Sequence, residues 1–364
     1  MRVGVVGGGQ LGRMLALAGH PLGVTCTTLD PAVASPAAQI APAVAGAYDD
    51  LERLATLAEA SDVATYEFEN VPVGSARFLA TRVPVRPAPE ALEVAQDRLA
   101  EKRLFEEVGL PVPPYAPVVD PPSLEAAIEA VGLPAVLKTR RLGYDGKGQF
   151  VLRDAVRAED AWRAVGERPS ILERFVDFDQ EVSIVAARGV DGTIASYPLT
   201  RNEHAEGILR VSRAPALGVD PSLQVAAEAH AHAVMERLAY VGVLAIELFV
   251  AGGELLGNEM APRVHNSAHW TIEGAVTSQF EQHLRAVTGL PLGAATARGP
   301  AAMVNLIGAL PEPADVLAVE GAHLHLYGKE PRPGRKVGHV TIVAEDEDAL
   351  EARLERVRAV VPTA

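Results

Sequence analysis

The chain has 364 residues, which is enough for two or three domains, and its 48% apolar and 22% charged content is typical of a globular protein. A formal net charge of −14 argues against nucleic acid or an anionic membrane as the main partner, because both attract cationic faces. Cys26 is the single cysteine, so a disulfide framework and a multi-cysteine metal site are excluded. With no secretory leader and no apolar run of membrane-spanning length in the sequence, we expect a cytoplasmic protein.

Strand and helix patterns alternate in the N-terminal third. Strands at 3–6 and 24–29 flank a helix at 13–18, and the intervening turn at 7–12 reads GGGQLG. This matches the G-x-G-x-x-G pattern in a strand–turn–helix context, with Asp30 after the second strand, so a nicotinamide-binding fold is one interpretation. The other is that the glycines only permit a tight turn at a helix N terminus, where any phosphate can bind.

A third strand, at 63–66, runs into the polar segment EFENVP at 67–72. Two carboxylates and an amide therefore follow the carboxyl end of a strand, where open α/β sheets bind ligands. The alternative is a polar loop that caps the next helix.

The middle of the chain begins after a Pro-interrupted segment at 85–89. The spacing of apolar residues predicts one amphipathic helix over 91–108, stopped by an extended connector at 110–115. A helix at 124–131 and a strand at 134–138 follow, and then a short helix leads into the segment ILERFV at 171–176.

Lysine is rare in this chain, with five residues against twenty-eight arginines. Lys102 lies in what reads as an ordinary charged helix, but the other four fall in short unusual motifs, which are Lys138, Lys147, Lys329 and Lys336. Lys147 belongs to the loop GYDGKGQ at 143–149, whose three glycines allow backbone N–H groups to approach a ligand. Together with Lys138 just upstream, the loop predicts a phosphate site, and the alternative is a hairpin tip of small residues.

Two acids lie on neighbouring predicted strands, Glu247 in 245–250 and Glu259 in 255–260, with Asn258 beside the second. An acid among apolar strand residues is costly unless it is paired or binds a metal, and hard oxygen ligands suit Mg²⁺ held jointly with phosphates. The alternative is a solvated hairpin face. For the two carboxylates to share a face, the hairpin must close through an odd number of residues or contain a bulge.

These motifs occur in the order expected of the ATP-grasp superfamily, and within it the chain resembles the 5-(carboxyamino)imidazole ribonucleotide synthetases. The resemblance rests on strings spread from residue 2 to about 340: GGGQLGRM (7–14), YEFENV (66–71), YDGKGQ (144–149), MAPR (260–263), HNS (265–267), HW (269–270) and RPGRKVGH (332–339). Val264 stands where the family commonly has Pro, and Ala268 where it commonly has Gly. Alanine at position 268 would strain the backbone if that residue required a positive φ.

The resemblance implies an α/β fold with a Rossmann-like N-terminal domain at 1–97. An ATP-grasp (α+β) domain pair would occupy 98–295, with a lid at about 112–176, and a small β-rich C-terminal region at 296–364 would complete the substrate site.

The resemblance also implies the site residues. Catalysis would involve Asp145, Lys147, Arg263 and His265, and Mg²⁺ would bind Glu247 and Glu259. ATP would bind Arg98, Lys138, Gly143, Tyr144, Asp145, Gly146, Lys147, Gly148, Gln149, Glu173, Arg174, Phe175, Val176, Glu181, His204, Asn258 and Glu259. The second substrate would bind Gln10, Leu11, Glu67, Tyr144, Asp145, Lys147, His265, Asn266, Ser267, Lys329 and Arg335.

The implied reaction uses ATP and Mg²⁺, with Mn²⁺ as an alternative ion, to carboxylate 5-aminoimidazole ribonucleotide with bicarbonate through carboxyphosphate. The implied protein is a homodimer in de novo purine biosynthesis that binds no nucleic acid or membrane. Other ATP-grasp ligases, such as the formate-dependent glycinamide ribonucleotide transformylase, share the nucleotide residues. An NAD-linked oxidoreductase would use only residues 3–30, and a nucleotide sensor would not need the polar cluster at 263–267.

The segment 327–336 reads as a shaped loop between strands, since it is rich in Pro and Gly. The residues alone allow a basic surface hairpin. The resemblance implies instead that the loop folds back on the N-terminal domain and clamps the substrate's 5′-phosphate through Lys329 and Arg335.

Overall fold

The computed structural model describes residues 1–143 and 148–362. Its N-terminal part alternates strands and helices, and these are β1 (Arg2–Val6), α1 (Gln10–Gly19), β2 (Thr25–Asp30), β3 (Ala43–Ala45), α2 (Leu51–Glu59), β4 (Val63–Tyr66), α3 (Val73–Ala80) and α4 (Pro89–Ala95). The strands form a parallel sheet in the order β3-β2-β1-β4. The three predicted strands are confirmed to within one residue. The predicted helix is α1, which begins three residues earlier than expected, directly after the glycine turn.

The single helix predicted over 91–108 is wrong. The chain forms α4, which ends at Ala95, and then α5 (Arg98–Glu107). Asp97 lies between them in an extended conformation and accepts a hydrogen bond from the Leu99 N–H at 3.1 Å. An aspartate in this role begins a new helix, because it satisfies a backbone donor that the first turn leaves unpaired.

The next segment forms a small antiparallel layer. Its elements are β5 (Tyr115–Val118), α6 (Pro121–Val131), β6 (Ala135–Thr139), β7 (Gln149–Leu152), α7 (Ala158–Ala164) and β8 (Ser170–Arg174). The strand order is β5-β8-β6-β7, and the helices cover one face through a buried cluster that includes Leu124, Leu137, Trp162 and Leu172. Lys138 of β6 is paired with Gln149 of β7 at the edge of this layer.

A large antiparallel sheet carries the rest of the chain. Its elements are β9 (Gln180–Arg188), β10 (Ile194–Ser196), β11 (Thr200–Ala205), β12 (Ile208–Ala214), α8 (Pro221–Arg237), β13 (Gly242–Ala251), β14 (Glu254–Ala261), α9 (Thr271–Gly274), α10 (Gln279–Thr288), β15 (Ala301–Ile307), α11 (Pro313–Leu317), β16 (Ala322–Leu326), β17 (Lys336–Val343) and α12 (Glu347–Val360). The strand order is β14-β13-β9-β11-β12-β15-β17-β16, with β10 beside β9. Short 3₁₀ turns lie at His20–Leu22, Ala37–Gln39, Ala155–Arg157 and Asn266–Ala268.

The C-terminal strands extend this sheet rather than forming a separate one, because β15 pairs with β12. The α/β and α+β architecture with a β-rich C-terminal region is confirmed. The boundaries at 97/98 and 295/296 stay a prediction.

The N-terminal sheet is fixed to the large sheet through α1 and α10. Leu11, Leu15, Phe280 and Leu284 are buried in one cluster. His283 of α10 adds a polar tie, since its Nε2 lies 2.9 Å from Thr65 Oγ1 and its Nδ1 accepts from the Val243 N–H at 3.1 Å. The carboxyl edge of the parallel sheet is therefore held against the large sheet. Within the described residues, no helix has the length and apolarity needed to cross a bilayer.

Candidate active site

A cleft of about 920 Å³ lies where the three parts of the chain meet. It is lined by seventeen of the residues predicted from the sequence, namely Gln10, Leu11, Arg98, Lys138, Gly143, Gln149, Phe175, Glu181, His204, Glu247, Asn258, Glu259, Arg263, His265, Asn266, Lys329 and Arg335. Six predicted residues that the structure describes do not line it, and these are Glu67, Gly148, Glu173, Arg174, Val176 and Ser267. The predictions for Tyr144, Asp145, Gly146 and Lys147 lie outside the described residues.

Glu247 and Glu259 are directly paired across β13 and β14, so their side chains share one face. The hairpin closes through two residues, since Ala251 pairs with Glu254, and a register shift follows Glu247 so that Leu248 pairs with Gly257. The expected geometry, an odd loop or a bulge, is confirmed as a bulge at Asn258. Burial, reinforced by the Glu259 carboxylate, raises the pKa of Glu247 to about 7.

The same pair is suited to a metal ion that is shared with phosphates. No group of three or more His, Cys, Asp or Glu side chains in residues 1–143 and 148–362 is arranged to hold an ion by itself. Mg²⁺ commonly takes one or two carboxylates and completes its coordination with water and substrate phosphates. Two paired carboxylates facing a cleft fit that donor set.

Two predicted cations of the cleft, Arg98 and Lys138, lie beside carboxylates. Arg98 Nη1 is 3.0 Å from Glu259 Oε2, and Lys138 Nζ is 3.0 Å from Glu173 Oε2. Burial alone would raise the pKa of Glu173, but Lys138, Lys102 and Arg98 outweigh it and lower that pKa to about 2. The Glu173 side chain is therefore an ionised partner of lysines.

The sequence suggested that Lys102 lies on an ordinary charged helix face, and this is wrong. Its side chain is fully buried, and its ammonium donates to the carbonyls of Gly257 and Asn258 at 2.9 and 2.8 Å. It also lies 3.4 Å from Glu173 Oε2. The rarity of lysine could have singled out this residue as well, but Lys102 was set aside because helical periodicity alone did not show that its side chain is buried.

Glu181 and His204 form a second pair, with His204 Nδ1 2.7 Å from Glu181 Oε2. Burial alone would lower the pKa of His204, but this bond and the nearby Glu247 and Glu259 outweigh it and raise the pKa. His204 therefore brings a readily protonated group to the carboxylate face of the cleft.

Aromatic residues that the sequence did not single out line the same region. Phe178 and Phe249 stack with ring centroids 4.9 Å apart and an interplanar angle of 14°. They lie in the cleft with Phe175 and offer an apolar surface for a planar ligand. Arg174, by contrast, is exposed and donates to the Val131 carbonyl at 3.1 Å.

The N-terminal glycine turn binds an anion from its own chain. The N–H groups of Gly9 and Gly12 donate to the two carboxylate oxygens of Glu67, each at 2.5 Å, and the Gly8 N–H donates to Asp30 at 2.9 Å. Burial raises the pKa of Glu67 despite these bonds. Glu67 is thus a support behind the turn, and its predicted contact with substrate stays a prediction.

The segment after β14 crosses from the carboxylate pair to the N-terminal sheet. Arg263 Nε donates to Glu69 Oε2 at 2.5 Å, and this partner outweighs burial and lowers the pKa of Glu69 to about 2. His265 Nε2 lies 3.5 Å from Glu247 Oε1. Burial, with Arg263 and Lys336 nearby, lowers the pKa of His265 to about 3, so its imidazole is neutral at pH 7.

A buried chain of polar side chains fixes the tautomer of His265. The Ser267 N–H donates to His265 Nδ1 at 3.4 Å, and Ser267 Oγ lies 2.9 Å from the same nitrogen and accepts from Ser183 Oγ at 2.8 Å. Asn202 and Ser212 continue the chain behind Ser183. Because Nδ1 is an acceptor, the ring proton lies on Nε2, which faces the cleft.

The loop between β16 and β17 folds back on the N-terminal turn, as expected. Lys329 Nζ donates to Gln10 Oε1 at 2.5 Å, and Gln39 Nε2 donates to the Gly328 carbonyl at 3.5 Å. Arg335 is half-buried and donates to the Glu330 carbonyl at 3.2 Å. A cation is therefore held beside Gln10 at the end of the cleft formed by the N-terminal domain.

Two further arginines of the cleft were missed from the sequence. Arg140 and Arg141, which follow β6, bind the two carboxylate oxygens of buried Asp97 at 2.6 and 2.9 Å. Consecutive arginines gave no distinctive pattern in an arginine-rich chain.

The two departures from the family pattern, Val264 and Ala268, cause no backbone strain. Ala268 lies in a 3₁₀ turn and is absent from the positive-φ residues, and Val264 is buried.

The parallel N-terminal sheet, the small antiparallel layer of β5 to β8 and the hairpin that carries Glu247 and Glu259 form the fold of an ATP-grasp enzyme. A model of the ATP-grasp domain matches residues 103–280, and a model of the ribonucleotide synthetase preATP-grasp domain matches residues 1–96. A model of the phosphoribosylaminoimidazole carboxylase C-terminal domain matches residues 301–353.

The relatives place the chain more narrowly. It is 52% identical over 361 residues to the N5-carboxyaminoimidazole ribonucleotide synthase of Pseudomonas aeruginosa, with 99% of each chain covered. It is 42% identical to that of Bacillus subtilis, covering 95% of this chain and 92% of the other. The chain belongs to the N5-carboxyaminoimidazole ribonucleotide synthase family.

Solved structures agree with this assignment. The crystal structure of the synthetase from Thermus thermophilus is 56% identical, with a TM-score of 0.96 and coverage of 100% of this chain and 99% of that one. The synthase from Aspergillus clavatus in complex with ADP and 5-aminoimidazole ribonucleotide is 31% identical, with a TM-score of 0.93 and coverage of 99% and 98%.

Proposed function

We propose that the chain carboxylates 5-aminoimidazole ribonucleotide with bicarbonate at the expense of ATP, in de novo purine biosynthesis. The products are N5-carboxyaminoimidazole ribonucleotide, ADP and phosphate. The observation that carries the proposal is one continuous cleft with two different ends. A carboxylate hairpin with cations lies at one end, and a glycine turn with a basic loop lies at the other. The relative whose structure contains both ADP and 5-aminoimidazole ribonucleotide supports this division.

The first end would bind ATP. Arg98, Lys138 and the 143–149 loop would hold the phosphates, and the peptide groups of 173–176 would read adenine beside the phenylalanine rings. Glu181 would bind the ribose, and His204 would lie near the transferred phosphoryl group. Glu247 and Glu259, with Asn258, would hold Mg²⁺ or Mn²⁺, which supplies charge neutralisation and orientation of the phosphates.

The second end would bind the ribonucleotide. Lys329 and Arg335 would form charge-assisted bonds to its 5′-phosphate, since a phosphate accepts strongly from both kinds of cation. Gln10 and Leu11 of the glycine turn and Asn266 would complete the pocket. Lys329 already donates to Gln10, so the loop and the turn approach the ligand as one unit.

The chemistry would take place between the ends. A bicarbonate oxygen attacks the γ-phosphorus of ATP, the bond to the bridging oxygen breaks, and ADP leaves carboxyphosphate behind. The exocyclic amine would then form a C–N bond to the carboxyl carbon as the C–O bond to phosphate breaks, or it would attack CO₂ after that bond has broken. In either case inorganic phosphate is the leaving group and can take up the proton that the amine loses. Arg263, which is held by Glu69, and the Nε2–H of neutral His265 would stabilise the anionic groups. Asp145 and Lys147 stay predicted catalytic residues.

Carboxyphosphate hydrolyses readily, so the reaction needs water to be excluded. We assign this task to the 112–176 lid, within the division 1–97, 98–295 and 296–364. A homodimer in the cytoplasm completes the proposal.

The test is to titrate the purified protein with ATP, bicarbonate and candidate amines while ADP release is measured. We expect ADP release to depend on 5-aminoimidazole ribonucleotide together with bicarbonate. Release that requires formate and glycinamide ribonucleotide would assign the chain to the transformylase reaction. ATP binding without turnover on any amine would indicate a nucleotide sensor.

A further inference from the structure

Side chains of α5 contact the backbone of the bulge that brings Glu259 opposite Glu247. In β14, Asn258 is the extra residue, because Glu247 pairs with Glu259 while Leu248 pairs with Gly257. A bulge leaves backbone groups outside the strand ladder, and a buried carbonyl or N–H without a partner costs free energy. Partners for these groups must therefore come from elsewhere in the fold.

Two adjacent side chains of α5 supply them. Lys102 Nζ donates to the carbonyls of Gly257 and Asn258 at 2.9 and 2.8 Å. Glu101 Oε1 accepts from the Met260 N–H at 2.6 Å. Backbone groups on both sides of Glu259 are thus held by one acid and one base that are neighbours in sequence.

Both side chains are deeply buried, with 0% of Lys102 and 2% of Glu101 exposed. Burying charged groups costs several kcal/mol per ion unless geometry and hydrogen bonds compensate. Lys102 has three acceptors, since Glu173 Oε2 lies 3.4 Å from its ammonium in addition to the two carbonyls. An ammonium offers three donors from one point, which a planar guanidinium cannot aim in the same way.

The packing of α5 against β14 is close enough to hold this register. A Cβ at Gly257 would lie 2.9 Å from the Phe105 ring and 3.0 Å from a Leu110 methyl carbon, so the strand touches the helix without room for a side chain. The hairpin loop itself has an even length, since Ala251 pairs with Glu254. Without the bulge, Glu247 would pair with Asn258, and Glu259 would point to the opposite face.

We propose that Glu101 and Lys102 are positioning residues that hold the bulge of β14 and so place the Glu259 carboxylate beside that of Glu247. The inference rests on the proposed role of those two carboxylates in holding a divalent cation with the nucleotide. It assigns to α5 a function in metal binding without contact between its side chains and the ion.

The test compares Lys102→Met with Arg103→Met. The first substitution keeps an apolar stem and removes the ammonium, and the second makes the same change at an exposed neighbour on the same helix. The probe is Mn²⁺ in the presence of ADP, with free Mn²⁺ followed by electron paramagnetic resonance. Loss of a group that orients a metal ligand typically costs about 10- to 100-fold in metal affinity. We expect a loss of that size in Lys102→Met and none in Arg103→Met.

A second readout separates positioning from general damage. Amide hydrogen exchange of a peptide covering 255–262 should become faster in Lys102→Met than in the wild type, while peptides from α10 keep their protection. Affinity for ADP without metal should change less than about threefold, well below the metal loss. Wild-type Mn²⁺ affinity in Lys102→Met would overturn the proposal, and so would an equal loss of metal-free ADP binding.

A pair at Glu101 keeps the proposal testable if Lys102→Met does not fold. Glu101→Gln retains an acceptor oxygen for the Met260 N–H, so it should keep most of the Mn²⁺ affinity, whereas Glu101→Ala should lose it. Equal affinities in these two variants would contradict the positioning role. Because no readout requires carboxylation, failure of the proposed reaction would show as normal Mn²⁺–ADP binding without turnover.

Discussion

Removal of the Lys329 ammonium should weaken binding of the ribonucleotide much more than binding of ATP. Lys329 is half-buried, and its Nζ lies 2.5 Å from Gln10 Oε1, so it is held in place before the ligand arrives. A hydrogen bond to a charged group contributes about 1.5–3 kcal/mol, which corresponds to about 10- to 150-fold in affinity. An exposed ion pair contributes less than about 1 kcal/mol, or about fivefold. The two magnitudes separate a phosphate clamp from a surface hairpin.

The assay is the initial rate of ADP release with the ribonucleotide varied at saturating ATP, and then with ATP varied. Lys329→Ala should raise KM for the ribonucleotide at least about tenfold, as expected for loss of a charge-assisted bond, with KM for ATP nearly unchanged. Arg77→Ala is the control, since Arg77 is an exposed cation that does not line the cleft and lies 2.7 Å from Glu93. Unchanged ribonucleotide KM in both Lys329→Ala and Arg335→Ala would refute the clamp.

Three further predictions concern the carboxylate pair, the N-terminal glycine turn and the buried His283. Glu247→Gln and Glu259→Gln should each abolish turnover, because each removes the charge of a metal ligand. Thermal stability should change little, because each substitution also relieves the repulsion between the paired carboxylates. Turnover above about a tenth of wild type in both variants would contradict the metal role. Calorimetry should detect no NAD binding, because Glu67 already fills the N terminus of α1, and tight binding would refute this. Burial lowers the pKa of His283 to about 4. The stability that the neutral His283 contributes is therefore fully present above about pH 6.5 and is lost as the pH falls through about 4. Over that range the free energy of unfolding should decrease by about 3 kcal/mol. Urea unfolding of wild type and His283→Gln at pH 7.5 and 4 measures that difference, and equal pH dependence in the two proteins would contradict it.

Local patterns in the sequence were enough to predict the glycine turn and its flanking strands. The parallel strands at 3–6, 24–29 and 63–66 are short apolar runs bounded by turn residues, and such runs depend little on distant parts of the chain. The period of two along a strand was also enough to require a bulge or an odd loop between Glu247 and Glu259, although it could not choose between them. The two glycines at 252 and 253 close an even loop, which leaves the bulge.

Contacts between distant segments were not predictable in the same way. The acceptors of Lys102 lie 155 and 156 residues further along the chain, so its local helical pattern contains no trace of them. The break between α4 and α5 was missed for a related reason. Asp97 continues a plausible helical pattern, and the arginines that bind its carboxylate, Arg140 and Arg141, lie 43 and 44 residues further along the chain.

The glycine turn shows how one local motif can serve a different function in a different fold. In a dinucleotide-binding protein, the N–H groups after such a turn meet a pyrophosphate at the helix N terminus. Here Glu67, which directly follows β4, accepts from the N–H groups of Gly9 and Gly12, so its carboxyl group occupies the N terminus of α1. A Cβ at Gly9 would lie 2.4 Å from the Glu67 carboxylate, so glycine is needed there for the approach of this side chain. The N–H groups of Gly9 and Gly12 are thus already paired, and the next residue, Gln10, accepts a hydrogen bond from Lys329 at the cleft. The G-x-G-x-x-G pattern thus specifies a tight turn with donors, and the residue at the end of the neighbouring strand decides whether those donors bind a ligand or the protein itself.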